Sequence, residues 1–336
     1  MDPVTQGLLG GSLPRAVATP PRAGMALLCG VLAGMAPDLD VVIRSKADPL
    51  LFLEYHRHFT HSLIFIPFGA AIVAGFVWLV FGRRRGWPLS QIYFFCALGY
   101  GTHALLDACT TYGTQLFWPF TNYRVAWNNV SVVDPAFTLP ILVGLIAAQV
   151  RCVRWPAIAA LFWGVSYLSM GVYAKNVAER EGLAHAELRG HRPDYLEAKP
   201  SLGNLLLWKV VYRTEDRYYV DAVRLGFPSS YYPGENLPVL DRERDFPWLQ
   251  PDSVQAEDLE RFRWFSSGFI AIDPDQPLRV IDLRYSLLPN QTRALWGIEL
   301  DPTRQQEHAA YVVSRTREPG DLATFWRMLR GKTIDQ

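Results

Sequence analysis

HRHFTHSLIFIPFGAAIVAGFVWLVF, residues 56–81, is the stretch that decides the fold. Its last 20 residues, 62–81, carry no charge, and about 20 apolar residues in helix are enough to cross a bilayer. Directly before them stand three histidines, His56, His58 and His61. Ionisable groups set against a membrane segment are costly and are kept there for function. Histidine and aspartate are also the side chains that bind divalent metals. The sequence predicts a metal site built on membrane helices.

Further apolar runs lie on both sides. Residues 87–106 carry no Asp, Glu, Lys or Arg, contain His103, and end just before Asp107. Residues 135–150 form a shorter run and 155–174 another of full length. Residues 24–43 are apolar up to Pro37 and then meet Asp38 and Asp40. Residues 4–18 are short, glycine-rich and interrupted by Pro14, suiting a short span or a re-entrant helix. The expected fold is an α-helical integral membrane bundle of about five or six helices, followed by a small α+β, mainly antiparallel β, soluble domain. The expected boundaries are 1–175 for the membrane-embedded domain, 176–199 for a linker helix and 200–336 for the β-rich domain.

Lys/Arg placement sets orientation. The cluster Arg83, Arg84 and Arg85 marks a cytoplasmic turn. Arg15 and Arg22, and Arg151 and Arg154, mark two more if the chain crosses six times with both ends outside. Asp38/Asp40, the 56–61 loop, His103/Asp107 and the C-terminal half then fall on the outer side of a bacterial inner membrane, the periplasmic side in a Gram-negative cell. The start of the chain lacks the basic residues of a cleavable signal peptide.

Composition narrows the remaining classes. Hydrophobic residues make up 50% of the chain and the net charge is +1, an average over an apolar first half and a polar second half. No Lys/Arg stripe interleaved with aromatics predicts a nucleic-acid partner. The four cysteines form no C-x-x-C pair, which removes the common zinc-knuckle and redox motifs. In the second half, 205–212 and 217–225 read as a hairpin around Thr214-Glu-Asp216. Residues 262–272, 278–286, 293–300 and 308–314 read as further strands and 321–329 as a helix.

His103 and Asp107, four apart, share one helix face. Asp38 and Asp40, on an extended segment after Pro37, would point the same way. Imidazole plus carboxylate donors favour Zn²⁺ or Mn²⁺ over Ca²⁺. Such an ion with an open position lowers the pKa of its water to about 7. Arg57 would either snorkel at the membrane interface or, beside a metal site, hold a phosphate bidentately.

Ala36-Pro-Asp38-Leu-Asp40, His56-Arg57-x-x-Thr60-His61-Ser62, Gly101-x-His103-x-x-x-Asp107 and the stretch from Thr110 to Phe120 resemble the YdjM-type family, membrane-bound proteins described as predicted metal-dependent hydrolases. The resemblance covers about residues 1–174. It implies a hydrolase with Asp38, Asp40, His56, His61, His103 and Asp107 as metal ligands, and no ligand role for His58. Where many members carry His near the start, this chain has Gln6, so a metal position is weakened there or Gln6 meets substrate. The resulting expectation is hydrolysis of an ester or phosphoester in a lipid or lipid-linked substrate, with Asp40, His61 and Arg57 as the catalytic residues and the lipid bilayer as the surroundings. The β-rich domain would cover the site or bind an unidentified protein partner. The competing expectation is a non-catalytic membrane protein with a structural metal and a partner-binding β domain.

Overall fold

In a computed structural model of the chain, which describes residues 1–314 and 318–334, the protein forms two compact units. The first comprises Met1–Ile43, Tyr55–Val172 and Leu202–Asn204, and the second Arg44–Glu54, Tyr173–Ser201 and Leu205–Gln336.

The first unit is helical. Its helices are α1 (Pro3–Val17), α2 (Ala23–Met35), α3 (Ile66–Val77), α4 (Leu89–Ala108), α5 (Pro135–Val150) and the first part of α6 (Trp155–Leu188). Among the described residues, three helical stretches are long and apolar enough to cross a membrane: Pro20–Val42, Leu63–Arg85 and Trp155–Leu188; α5 is apolar but shorter. Side-chain placement on these helices is the reverse of a soluble core. On α3 and the turn after it, Phe68, Ile72, Phe76 and Leu79 are exposed while Gly69, Ala70 and Ala74 are buried. On α5, Leu139, Val143, Ile146 and Val150 face out. Large apolar residues outside and small ones at helix contacts are what a lipid solvent selects, because backbones then approach closely.

Glycine carries the tightest of these contacts. A Cβ on Gly99 of α4 would lie 2.6 Å from the Gly30 carbonyl oxygen of α2, and one on Gly34 would lie 2.6 Å from the Gln6 carbonyl oxygen of α1. Gly10, Gly30 and Gly99 thus let the backbones of three helices come into direct contact. At one end of the unit, buried Arg15 donates through Nη2 to the carbonyls of Ala148 (2.5 Å) and Val153 (2.9 Å). The two basic turns that follow α1 and α5 therefore share that end. At the other, Asp2 caps α1 and Asp134 caps α5, while Asp2 N–H donates to the Val132 carbonyl (3.0 Å).

The second unit is layered. Antiparallel strands β1 (Tyr195–Pro200), β2 (Leu207–Arg213), β3 (Arg217–Arg224) and β4 (Ser230–Pro238) form one sheet in that order. Strands β5 (Ile270–Asp273), β6 (Gln276–Asp282), β7 (Trp296–Glu299) and β8 (Ala310–Val313) form a second. One face of the first sheet, with Trp208, Val210, Tyr212 and Val223, packs on Ala174, Ala178 and Ala186 of α6. The other, with Val211, Tyr218 and Val220, packs on Phe269, Ala271, Ile281 and Leu283. Helices α7 (Val254–Phe265) and α8 (Asp321–Leu329) belong to the same unit.

Most sequence expectations for this half match, with one correction. Residues 262–272 are not one strand, because 262–265 close α7 and only Ile270–Asp273 is extended. The turn between them uses Ser267 (φ 53°) and Gly268 (φ 83°), and Gly268 N–H caps the Arg263 carbonyl at 2.9 Å, the usual end of a helix at a left-handed residue. Strands β1 and β4 were not anticipated. The segment expected as a linker is the end of α6 followed by β1.

Candidate metal centre

The site forms where three stretches of the first unit meet. Pro37 starts a 3-10 turn, Ala36–Val42, that carries Asp38 and Asp40 beyond the end of α2. A second, Phe59–His61, carries His61, and α4 supplies His103 and Asp107 one turn apart. The 3-10 turn corrects the expectation of an extended segment. At about three residues per turn, positions two apart diverge, and the two aspartates do so.

Asp38, His61, His103 and Asp107 each offer one ligand atom, all four within 4.8 Å of one another. His61 Nε2 lies 2.9 Å from His103 Nε2, 3.5 Å from Asp38 Oδ1 and 3.3 Å from Asp107 Oδ2. His103 Nε2 lies 3.4 Å from Asp38 Oδ1 and 3.6 Å from Asp107 Oδ2. His61, His103 and Asp107 are fully buried, and the Asp38 side chain keeps 17% of its exposure.

The other ring nitrogens are committed. His103 Nδ1 donates to the Gly34 carbonyl at 2.5 Å. His61 Nδ1 sits 2.9 Å from Thr60 Oγ1 and 3.2 Å from Asp40 Oδ2, while the Thr60 hydroxyl donates to Asp40 Oδ2 at 2.9 Å. With each proton on Nδ1, the two Nε2 lone pairs face each other. This is an unfavourable arrangement that a cation between them relieves. Four donors at 2.0–2.2 Å around a tetrahedral ion would be about 3.3–3.6 Å apart, close to the spacings between the imidazoles and the carboxylates. Asp107 Oδ2 also accepts no well-angled hydrogen bond, although Arg57 Nε lies 3.0 Å away. The donor set fits a divalent cation.

Asp40 and His56 lie beside this group. Asp40 is buried and its carboxylate is fully engaged, with His56 Nδ1 (2.7 Å), Arg57 N–H (2.9 Å) and Thr60. His56 keeps 20% side-chain exposure, and its ring centre lies 6.2 Å from that of His61. Arg57 does not reach outward. Its guanidinium donates to Thr110 Oγ1 at 2.8 Å and lies over the Tyr112 ring at 4.8 Å, beside Asp107. Its φ of 64° costs about 1–2 kcal/mol for a non-glycine residue. The bonds from its N–H to Asp40 and from Gln115 N–H to its carbonyl (3.0 Å) hold it there.

Gln6 Nε2 donates to Asp107 Oδ1 at 2.8 Å, and the Met1 amino nitrogen also lies against that oxygen. The buried Gln6 Oε1 has no hydrogen-bond partner. The sequence reading did not assign Thr60, Gly34 and Thr110 to the site. Gly30-x-x-x-Gly34 was the available sign that the backbone of α2 comes close enough to anchor His103.

An apolar helical unit with large residues facing out and a two-histidine, two-aspartate cluster, buried except at Asp38, defines an integral membrane protein with a metal-type centre. The YdjM inner membrane protein family model matches residues 1–178, which include all four cluster residues. The chain belongs to that family. It is 29% identical over 130 residues to the uncharacterized protein YfhP of Bacillus subtilis, a match covering 38% of either chain. It is 31% identical over 126 residues to the inner membrane protein YbcI of Escherichia coli, covering 35% of this chain and 67% of that one. No solved structure matches.

Proposed function

We propose that the protein is a membrane-bound metal-dependent hydrolase of the bacterial inner membrane, acting on an ester or phosphoester of a lipid or lipid-linked substrate. The observation that carries this reading is the facing pair of imidazole Nε2 atoms, 2.9 Å apart, flanked by Asp38 and Asp107. Asp38, His61, His103 and Asp107 would hold the ion, and their nitrogen and oxygen donors suit Zn²⁺, with Mn²⁺ second. When bound, such an ion supplies Lewis acidity and a water of low pKa.

The surrounding residues orient and move protons. Asp40 and Thr60 fix the tautomer of His61, and the Gly34 carbonyl fixes that of His103, as partners of ligand imidazoles do. Arg57 offsets the charge of Asp107. His56 is the proton-transfer group in this reading: Asp40 accepts its Nδ1–H, which leaves the Nε2 lone pair to take a proton from the attacking water and, as the imidazolium, to pass it to the leaving oxygen. A lipid substrate is favoured by exposed apolar residues that flank the donors in sequence. Leu39 is 67% exposed between Asp38 and Asp40, and Leu63 and Ile64 follow His61. The reading keeps five or six embedded segments, with the three arginine-bearing turns cytoplasmic and the metal centre and β-rich unit outside.

The test is turnover of a panel of lipid phosphoesters by purified protein loaded with Zn²⁺ or Mn²⁺. His56→Gln should lower turnover by about 10²–10⁴-fold and leave bound metal in place. No turnover by the metal-loaded wild type across the panel would favour a structural metal instead.

A further inference from the structure

Residues Arg44–Glu54 fold with the second unit, although the residues before and after them, up to Ile43 and from Tyr55, belong to the first. They join the turn that carries Asp38 and Asp40 to the stretch that carries His56, Arg57 and His61. Within the second unit one side chain grips them. Arg261 of α7 makes a two-pronged pair with Asp48, Nη2 to Oδ2 at 2.8 Å and Nη1 to Oδ1 at 3.2 Å. It also reaches Glu54 Oε1 through Nε at 2.5 Å and Asp258 Oδ1 at 2.7 Å. Asp258 is fully buried and is held in turn by Ala309 N–H (2.8 Å) and His308 Nδ1 (3.1 Å). Phe52 meets Tyr311 edge to face at 5.0 Å, and Leu50 and Leu53 are buried. Asp48, Asp258 and His308 have metal-like spacing, but the Arg261 guanidinium is already the cation among these carboxylates.

We infer that Arg261 is a positioning residue for the metal centre: by clasping residues 44–54 it fixes where the Asp38/Asp40 turn and the 55–61 stretch start and end. The Asp40 bonds to His56 Nδ1 and Arg57 N–H join those two stretches across the loop. If the loop were loose, these bonds would have to overcome its closure entropy. With the loop held, much of that cost is already met. The consequence for metal binding rests on the metal-centre reading, whereas the coupling between the stretches does not.

The experiment uses the full chain in detergent, wild type and Arg261→Ala, read by hydrogen exchange without metal and by competitive Zn²⁺ titration. Exchange is expected to quicken in 44–54 and also in 55–62, with β2 and β3 unchanged, and Zn²⁺ affinity to fall on the order of tenfold. Faster exchange confined to 44–54, with Zn²⁺ affinity unchanged, would overturn the inference. If Arg261→Ala also loosens β2 and β3, Asp48→Asn is read by the same criteria, because it leaves the Arg261–Asp258 pair intact. If the wild type binds no Zn²⁺ but exchange still spreads to 55–62, the metal-centre reading falls and the positioning role stands.

Discussion

Asp38 and Asp40 are two residues apart, and the turn they share decides which one faces the cluster. In the sequence they were equivalent, since on an extended segment both would point one way. The 3-10 turn sends Asp38 to the histidine pair and Asp40 to Thr60, His56 and the Arg57 N–H. The helical pair His103/Asp107 was legible from its four-residue spacing alone. The division of work between Asp38 and Asp40 was not, because it depends on local backbone geometry that no residue type announces. The roles can be separated experimentally. Asp40→Asn keeps an acceptor but loses the charge behind His61, and should weaken metal binding by about 10–100-fold in a competitive titration. An unchanged affinity would mean that Asp40 does not orient a ligand.

At the scale of elements, the crossing of α1, α2 and α4 holds the site together, since it brings the Gly34 carbonyl to His103 and Gln6 to Asp107. A methyl group on Gly30 would overlap the Gly10 carbonyl oxygen, whereas Gly75 on α3 has nothing within 4 Å of where its Cβ would be. Gly30→Ala should therefore destabilise the helical unit by about 1–3 kcal/mol in thermal unfolding in detergent, while Gly75→Ala should be neutral or slightly stabilising. Equal effects would remove the close crossing from the account. In the β-rich unit, some strands were legible and others hidden for a physical reason. Tyr195–Pro200 places Glu197 and Lys199 on one face as a partly buried ion pair, which breaks the apolar alternation that marks a strand. Ser230–Pro238 contains Pro233 and Gly234 and pairs across a register shift at Val220/Ala222. Between the sheets, burial pushes the Lys209 ammonium down to about 7, although Asp282 and Glu235 favour its charge. The folded-state value is below the ordinary 10.5, so the unfolded chain binds this proton more tightly, and the unit should gain stability as pH rises from about 7 towards 10. Denaturation followed by tryptophan fluorescence should show that rise, and Lys209→Met should flatten it.

Over the whole molecule, the division into an apolar helical half and a polar β-rich half was plain from composition. The capture of residues 44–54 by the second unit was not. It rests on ion pairs between Arg261 and residues more than 200 positions away, and no periodic pattern records such a contact. Orientation can be read with a native probe. Of the four cysteines only Cys152, in the turn between Arg151 and Arg154, is exposed. In intact spheroplasts an impermeant maleimide should leave the protein unlabelled, and permeabilisation should expose Cys152. Labelling before permeabilisation would invert the topology and put the metal centre on the cytoplasmic side.

The most direct test of the central claim is the metal content of the purified full-length protein, by elemental analysis, for wild type, His61→Ala, His103→Ala and His56→Gln. The account predicts about one zinc or manganese ion per chain in the wild type and in His56→Gln, and loss of that ion in both alanine variants. A wild type that carries no divalent metal and takes up none from zinc- or manganese-containing buffer would contradict it, and would leave a shared proton, not an ion, between His61 and His103.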